Sequence, residues 1–377
     1  MTATSPTMTE LDVERFWRDD ELAHRDPSGA DSPQVPLGIR MSYECVFSEL
    51  GLPFQIGRLE RDDAFAADLA RRYNDKAQRI VGRRLLNERQ YDTRKRFPHV
   101  RSVGELFGCR RVWQSESWWL LEAAETPREL EALLDRVDRL DLRAEMFPDN
   151  WDAECRRLYE QFGVRPVIGR HLRGPVTLAT SIYGCENLIF LILDAPDLAA
   201  RFRDTILRVL LEYHRIGDEV SDPQRVRPGF SFADDNCALL TPEMYAFFAQ
   251  PILMKVFPTA APAPADRRHQ HSDSAMGHLL PLLAETGLNG VNFGPTLTVR
   301  QIRQAMPRAI IEGQLAPFTF MRNDEQAIVE EVMRDCAQAR PQRGLVLATA
   351  ASINDGSSLK SMRLIMQTIQ NFGRYDT

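Results

Sequence analysis

Cysteine is scarce in this chain. There are six in 377 residues, at 45, 109, 155, 185, 237 and 336, and no two are spaced C-x-x-C. That excludes a disulfide-stapled secreted scaffold and a thiolate zinc finger, and it fits a reduced, cytoplasmic compartment. Long apolar runs are missing as well: the longest, Leu188–Leu193, is far short of a bilayer span, so we expect no membrane partner. The opening MTATSPTMTELD has no basic region followed by an apolar one, so we expect no secretory leader. Positive charge is in deficit, with 47 Lys plus Arg against 53 Asp plus Glu and a net charge of −6. A general nucleic-acid binder would show the opposite balance. No GxxxxGK[ST] loop, no HExxH and no convincing GxGxxG occurs.

What is present is an ordinary globular mix, 44% hydrophobic and 27% charged. The length exceeds one average domain, but a single α/β barrel uses it all. From residue 165 onward the pattern alternates. Strands are expected at Arg165–Gly169, Gly229–Ala233, 267–272, Gly290–Phe293, Ala309–Glu312 and Leu345–Thr349. Helices fall between them, at Ala199–Tyr213, 276–286, 298–306, 323–339 and 358–372. Thr126-Pro127-Arg128-Glu129 and Thr241-Pro242-Glu243 read as capped helix starts. Repeated strand–helix units predict a parallel sheet, and their number favours a (β/α)8 TIM barrel. We divide the chain into an N-terminal helical extension over 1–60 and the barrel over 61–377. Residues 37–56 are ambiguous between strand and helix. Trp118-Trp119 reads as core or interface.

In such a barrel the chemistry sits at the C-terminal ends of the strands. The densest signal there is His269-Gln270-His271-Ser272-Asp273. Residues two apart on a strand share a face, so His269 and His271 can converge on one metal ion. A hydrogen-bonding role for one and a structural role for the other is the plainer alternative. Asp234 and Asp235 follow another strand, and one of them is expected to act as base or ligand. Glu312 and Gln314 follow a third. Arg170 and Arg40 are candidates for holding an anionic substrate, with Tyr183 and Gln314 as further binding residues.

These residues sit in motifs that resemble the uroporphyrinogen decarboxylase superfamily over roughly 165–373. Gly174-Pro-Val-Thr-Leu-Ala followed by Gly184 resembles its G-P-x-T-L-A…G segment. Asp234-Asp235…Leu240-Thr241-Pro242-Glu243-Met244-Tyr245 resembles its D-[DS]…L-S-P-x-x-[YF] segment. His271-Ser272-Asp273 ahead of LLPLLAETGLNGVN, and Gly313-Gln-Leu-Ala-Pro317, resemble two more. The resemblance implies a (β/α)8 barrel and either of two chemistries. One is cofactor-free decarboxylation of uroporphyrinogen; the other is zinc-dependent methyl or alkyl transfer between a corrinoid or small donor and a thiol.

The chain departs from both. Where the decarboxylases carry R-Q-A-G-R it has Gly38-Ile39-Arg40-Met41-Ser42, with one arginine, and their late histidine falls on Ala351. Their tyrosine after T-L falls near Ser181, and their serine after the Asp falls on Asp235. The zinc transferases' H-x-C becomes His269-Gln-His271, and their late cysteine falls on Ala350 or Ala351. Two imidazoles plus a carboxylate such as Asp235 or Glu312 restore three ligands with an open position, suited to zinc, iron(II) or manganese. The expectation is a metal-dependent group-transfer enzyme or lyase acting on a small molecule, in a family where homodimers occur. The alternatives are a metal-free decarboxylase or lyase on a non-porphyrin acid, and a non-catalytic ligand-binding barrel.

Overall fold

The computed structural model describes residues 8–88, 92–114 and 117–376. They fall into two compact units, Thr93–Leu288 and a second made of the chain up to Asp92 with Asn289 onward.

The first strands of the first unit form an antiparallel pair, β1 (Arg110–Gln114) and β2 (Ser117–Leu121). Trp118 and Trp119 lie on β2 with their indoles exposed, so neither belongs to the core. The helix Pro127–Val137 then starts on a capping box between Thr126 and Glu129, as its sequence predicts. Three parallel strands follow: β3 (His171–Arg173), β4 (Gly229–Ala233) and β5 (Arg267–Ser272), with β4 paired to both others. The long helix Pro196–Val220 connects β3 to β4 and buries Phe202, Ile206, Val209 and Leu210.

On β4 the alternation is strict. Phe230 and Phe232 are buried on one face, edge-on to each other and to Phe257 of the helix Gln250–Ala260. Burying each ring contributes about 2–3 kcal/mol. Ser231 and Ala233 point to the opposite face, which carries the polar residues. Gly229 enters the strand at φ +119°, and a Cβ there would lie 2.6 Å from the Arg267 carbonyl oxygen, so only glycine fits.

The second unit also holds three parallel strands: β6 (Gly290–Phe293), β7 (Ile310–Leu315) and β8 (Leu345–Thr349). They alternate with the helices Val299–Ala305, Glu325–Ala339 and Leu359–Phe372. The ambiguous 37–56 stretch contains a helix, Tyr43–Glu49, capped by the Ser42 hydroxyl. Its approach runs beside β8, where the Gly38 N–H donates to the Leu347 carbonyl over 2.7 Å. The described part of the segment read as an N-terminal extension thus lies in one unit with the last three strands.

The fold is α/β with parallel strands and many helices. Four strands match their expected bounds, β4, β5, β6 and β8. β7 starts one residue later than expected and runs on to Leu315. The expected strand Arg165–Gly169 is absent, and the ladder begins at His171 instead. Hydrogen bonds from loop groups occupy the earlier stretch: Ile168 N–H donates to Ser221 Oγ, and Asp222 N–H to the Pro166 carbonyl. No single described helix is long and apolar enough to cross a membrane, and the pair Pro175–Tyr183 and Cys185–Asp194, which passes only jointly, is bent by 101°.

Candidate functional site

The polar face of β3, β4 and β5 is organised in registered rows. His171, Ser231 and His269 stand side by side, and one position further along stand Leu172, Phe232 and Gln270 of the opposite face. The next row on the polar face is Arg173, Ala233 and His271. In the first row the Ser231 hydroxyl lies between two imidazoles, 3.0 Å from His171 Nδ1 and 2.8 Å from His269 Nδ1. Burial holds the His269 ring neutral: its pKa is pushed down to about 2, with the positive charge of Arg267 adding to the effect, and partial desolvation lowers that of the more exposed His171.

At the strand ends, three side chains converge. The His271 Nε2 lies 2.8 Å from Asp273 Oδ1 and 4.0 Å from Asp235 Oδ1. One ligand atom from each of Asp235, His271 and Asp273 falls within 4.8 Å of the others. The Asp273 N–H donates to Asp235 Oδ1 over 2.8 Å, which fixes the Asp235 carboxylate against the end of β5. His271 and Asp235 are partly exposed and Asp273 is exposed, so the cluster is open to small solutes.

Of the expected metal residues, His271 and Asp235 come together here. His269 lies one row back on Ser231 and is not among the three, and Asp273 joins them instead. Strand periodicity puts His269 and His271 on one face, but it does not say which residue past the strand end turns inward.

Asp234 is placed differently from its neighbour. It is fully buried, and its carboxylate accepts from the Thr177 N–H at 2.7 Å and the Val176 N–H at 3.4 Å, at the start of the helix Pro175–Tyr183. Burial pushes its pKa up to about 7 against those two donors. Gly174 makes room for it, since a Cβ there would sit 2.3 Å from Asp234 Cβ. A carboxylate so enclosed at a helix N-terminus fastens the helix to β4.

Arg170 is likewise engaged: Nε and one Nη grip Asp218 at 3.1 and 2.6 Å, a two-pronged ion pair. Tyr183 is buried, its ring edge-on to Phe202. In the other unit, the Gln314 amide donates to the Gly294 and Leu297 carbonyls and ties down the turn after β6. The Glu312 carbonyl accepts from the Asn292 amide. Arg40 is exposed, just ahead of the helix Tyr43–Glu49. Ala350, at the end of β8, is fully buried.

Two polar residues were not picked out by the sequence. Ser231 gave no signal, because an isolated serine in an apolar strand reads as filler. Arg173 was hidden by the misplacement of β3, which left it in a presumed loop.

Comparison with known proteins follows the same lines. A methyltransferase from Methanosarcina mazei superposes with a TM-score of 0.59 at 16% identity, over 94% of this chain and 98% of that one. At that identity the likeness establishes the fold. No curated protein matches the chain. The sequence model of the uroporphyrinogen decarboxylase family matches residues 124–372, well over half of the chain and a longer stretch than the motifs alone span. Given that match and the shared fold, the chain belongs to the uroporphyrinogen decarboxylase family.

Proposed function

We propose that this chain is a metal-dependent enzyme on a (β/α)8 barrel that transfers a methyl or alkyl group to or from a small organic substrate. The observation that carries the reading is the meeting of Asp235, His271 and Asp273 at the carboxyl ends of β4 and β5. Ligand sites in parallel sheets form at those ends. The donor set fits a divalent cation. Two carboxylates match its charge, one neutral imidazole adds a borderline donor, and three protein ligands leave positions for substrate. Oxygen-rich sets of this kind suit zinc, iron(II) or manganese rather than selecting one. The chemistry such a cation supplies when bound is polarisation of a substrate atom or activation of a thiol or water.

The chain's own residues do the rest. The Asp273 N–H orients the Asp235 carboxylate. Ser231 holds the buried His269 in place behind the cluster, and that imidazole adds no positive charge to the site.

The purified protein is expected to carry or take up close to one equivalent of a divalent metal. His271→Ala should weaken that uptake by more than about tenfold, since even a residue behind the ligands is worth ~10–100-fold in affinity. Metal analysis of both proteins decides it, and full metal in the His271→Ala variant would falsify the assignment. A second reading has one specific support, the 2.8 Å contact of His271 with Asp273. That pair suits proton transfer in a metal-free lyase. Turnover by metal-free protein would favour it.

A further inference from the structure

The row Arg173–Ala233–His271 differs from the row behind it. There, Ser231 fills the middle and bonds both neighbours. Here the middle residue contributes only a methyl group, and Ala233 is partly exposed on its polar face. A shallow floor therefore separates the Arg173 side chain on β3 from the cluster at the end of β5. Adjacent strands are ~4.8 Å apart, so two strand spacings put about 10 Å between the Arg173 and His271 backbones. That gap suits a short molecule.

Arg173 is held but not neutralised. One Nη donates to Ser181 Oγ over 2.7 Å, and the Ser181 hydroxyl in turn donates to the Thr177 carbonyl over 2.6 Å. Ser181 therefore pins the guanidinium while carrying no charge of its own. Among the described residues no carboxylate pairs with Arg173. The contrast is Arg170, three residues earlier, whose fork is closed on Asp218. A guanidinium has five donors in a fork that matches an oxyanion, and Arg173 leaves four of them unused by this contact. Charge points the same way. The two carboxylates offset a divalent cation, and Arg173 leaves one positive charge across the floor.

We infer that Arg173 anchors an oxyanion of the substrate, a carboxylate or phosphate-type group on a short chain. The other end of that chain lies over Ala233 at Asp235, His271 and Asp273. The inference rests on the reading of that cluster as the reacting end, and it assigns the substrate class: a small organic acid rather than a neutral compound.

The test uses propionate, propylphosphonate and 1-propanol as probes, titrated by ligand-observed NMR into the whole protein, with metal content measured in the same samples. Wild type is expected to bind at least one oxyanion about tenfold or more tightly than 1-propanol, the worth of a charged hydrogen-bonded contact. Arg173→Gln should abolish that preference, and Arg173→Lys should keep part of it, which separates loss of charge from loss of fold. The oxyanion that binds more tightly names the group. Equal binding of the oxyanions to wild type and Arg173→Gln overturns the inference, and so does a wild type that does not distinguish them from 1-propanol. An Arg173-dependent preference in protein that takes up no metal upholds the anchor and removes only the metal reading.

Discussion

Asp335 is fully buried in the helix Glu325–Ala339, with Arg334 Nε donating to its Oδ1 over 2.9 Å. Its Oδ2 has no hydrogen-bond partner among the described residues. Burial pushes its pKa up to about 6, and the Arg334 guanidinium only partly opposes that. The folded chain therefore keeps a proton that the unfolded chain, with an ordinary carboxyl near ~3.9, has already released. The unfolded state binds fewer protons in that window, so this group makes stability fall as pH rises from about 4 to about 6. Asp335→Asn removes the titration and keeps an acceptor for Arg334. The variant should match wild type near pH 4 and exceed it above pH 6, by on the order of 1–3 kcal/mol. Urea unfolding at three pH values reads this, and a difference that does not change with pH would refute it. At this scale the sequence was least informative. Asp234 and Asp235 are adjacent, as are the roles of Arg170 and Arg173 nearly so, yet one of each is consumed by structure. What separates them is a partner far along the chain, such as Asp218 for Arg170, which no local pattern shows.

Elements were far more legible, and their failures are informative. GFSFA reads as a strand because Phe230 and Phe232 alternate with small residues against a buried helix. His171-Leu172-Arg173 does not, because two of its three side chains serve the polar face rather than a core. The apolar RPVIG nearby drew the assignment away. Sequence patterns fail where a strand is written for its site instead of its packing. Asp234 joins two elements, since it follows β4 and caps the helix Pro175–Tyr183. Asp234→Ala leaves the buried Val176 N–H and the part-buried Thr177 N–H without their acceptor, and should cost about 2–3 kcal/mol of stability. Asp234→Asn keeps one acceptor and should cost less. Denaturant melts compare them, and equal, negligible losses would show that the cap is dispensable.

For the molecule as a whole, the motif order was readable because in this chain the motifs lie at strand ends, where turns need particular residues. GPVTLA shows this: Gly174 is required by contact with Asp234, whatever the substrate. The family's chemistry does not transfer so readily. One arginine, Arg40, stands where the decarboxylases have two, and Ala351 replaces their late histidine. A porphyrinogen carboxylate that relies on the missing arginine would lack its partner, and an unpaired buried charge costs several kcal/mol. Uroporphyrinogen incubated with the pure protein should therefore be consumed no faster than in buffer. Chromatography of the products checks this, and efficient formation of coproporphyrinogen would reverse it.

The bridge at Ser231 imposes a rule on the rings beside it. A hydroxyl carries a single hydrogen, so it can donate to only one of the two Nδ1 atoms it touches. At least one ring has to be the donor, with its hydrogen on Nδ1. For two neutral imidazoles this means that His171 and His269 cannot both keep their hydrogen on Nε2. At least one of the two Nε2 atoms therefore carries a lone pair. The tautomers of the two histidines are thus linked through Ser231, although they stand on strands that are not neighbours.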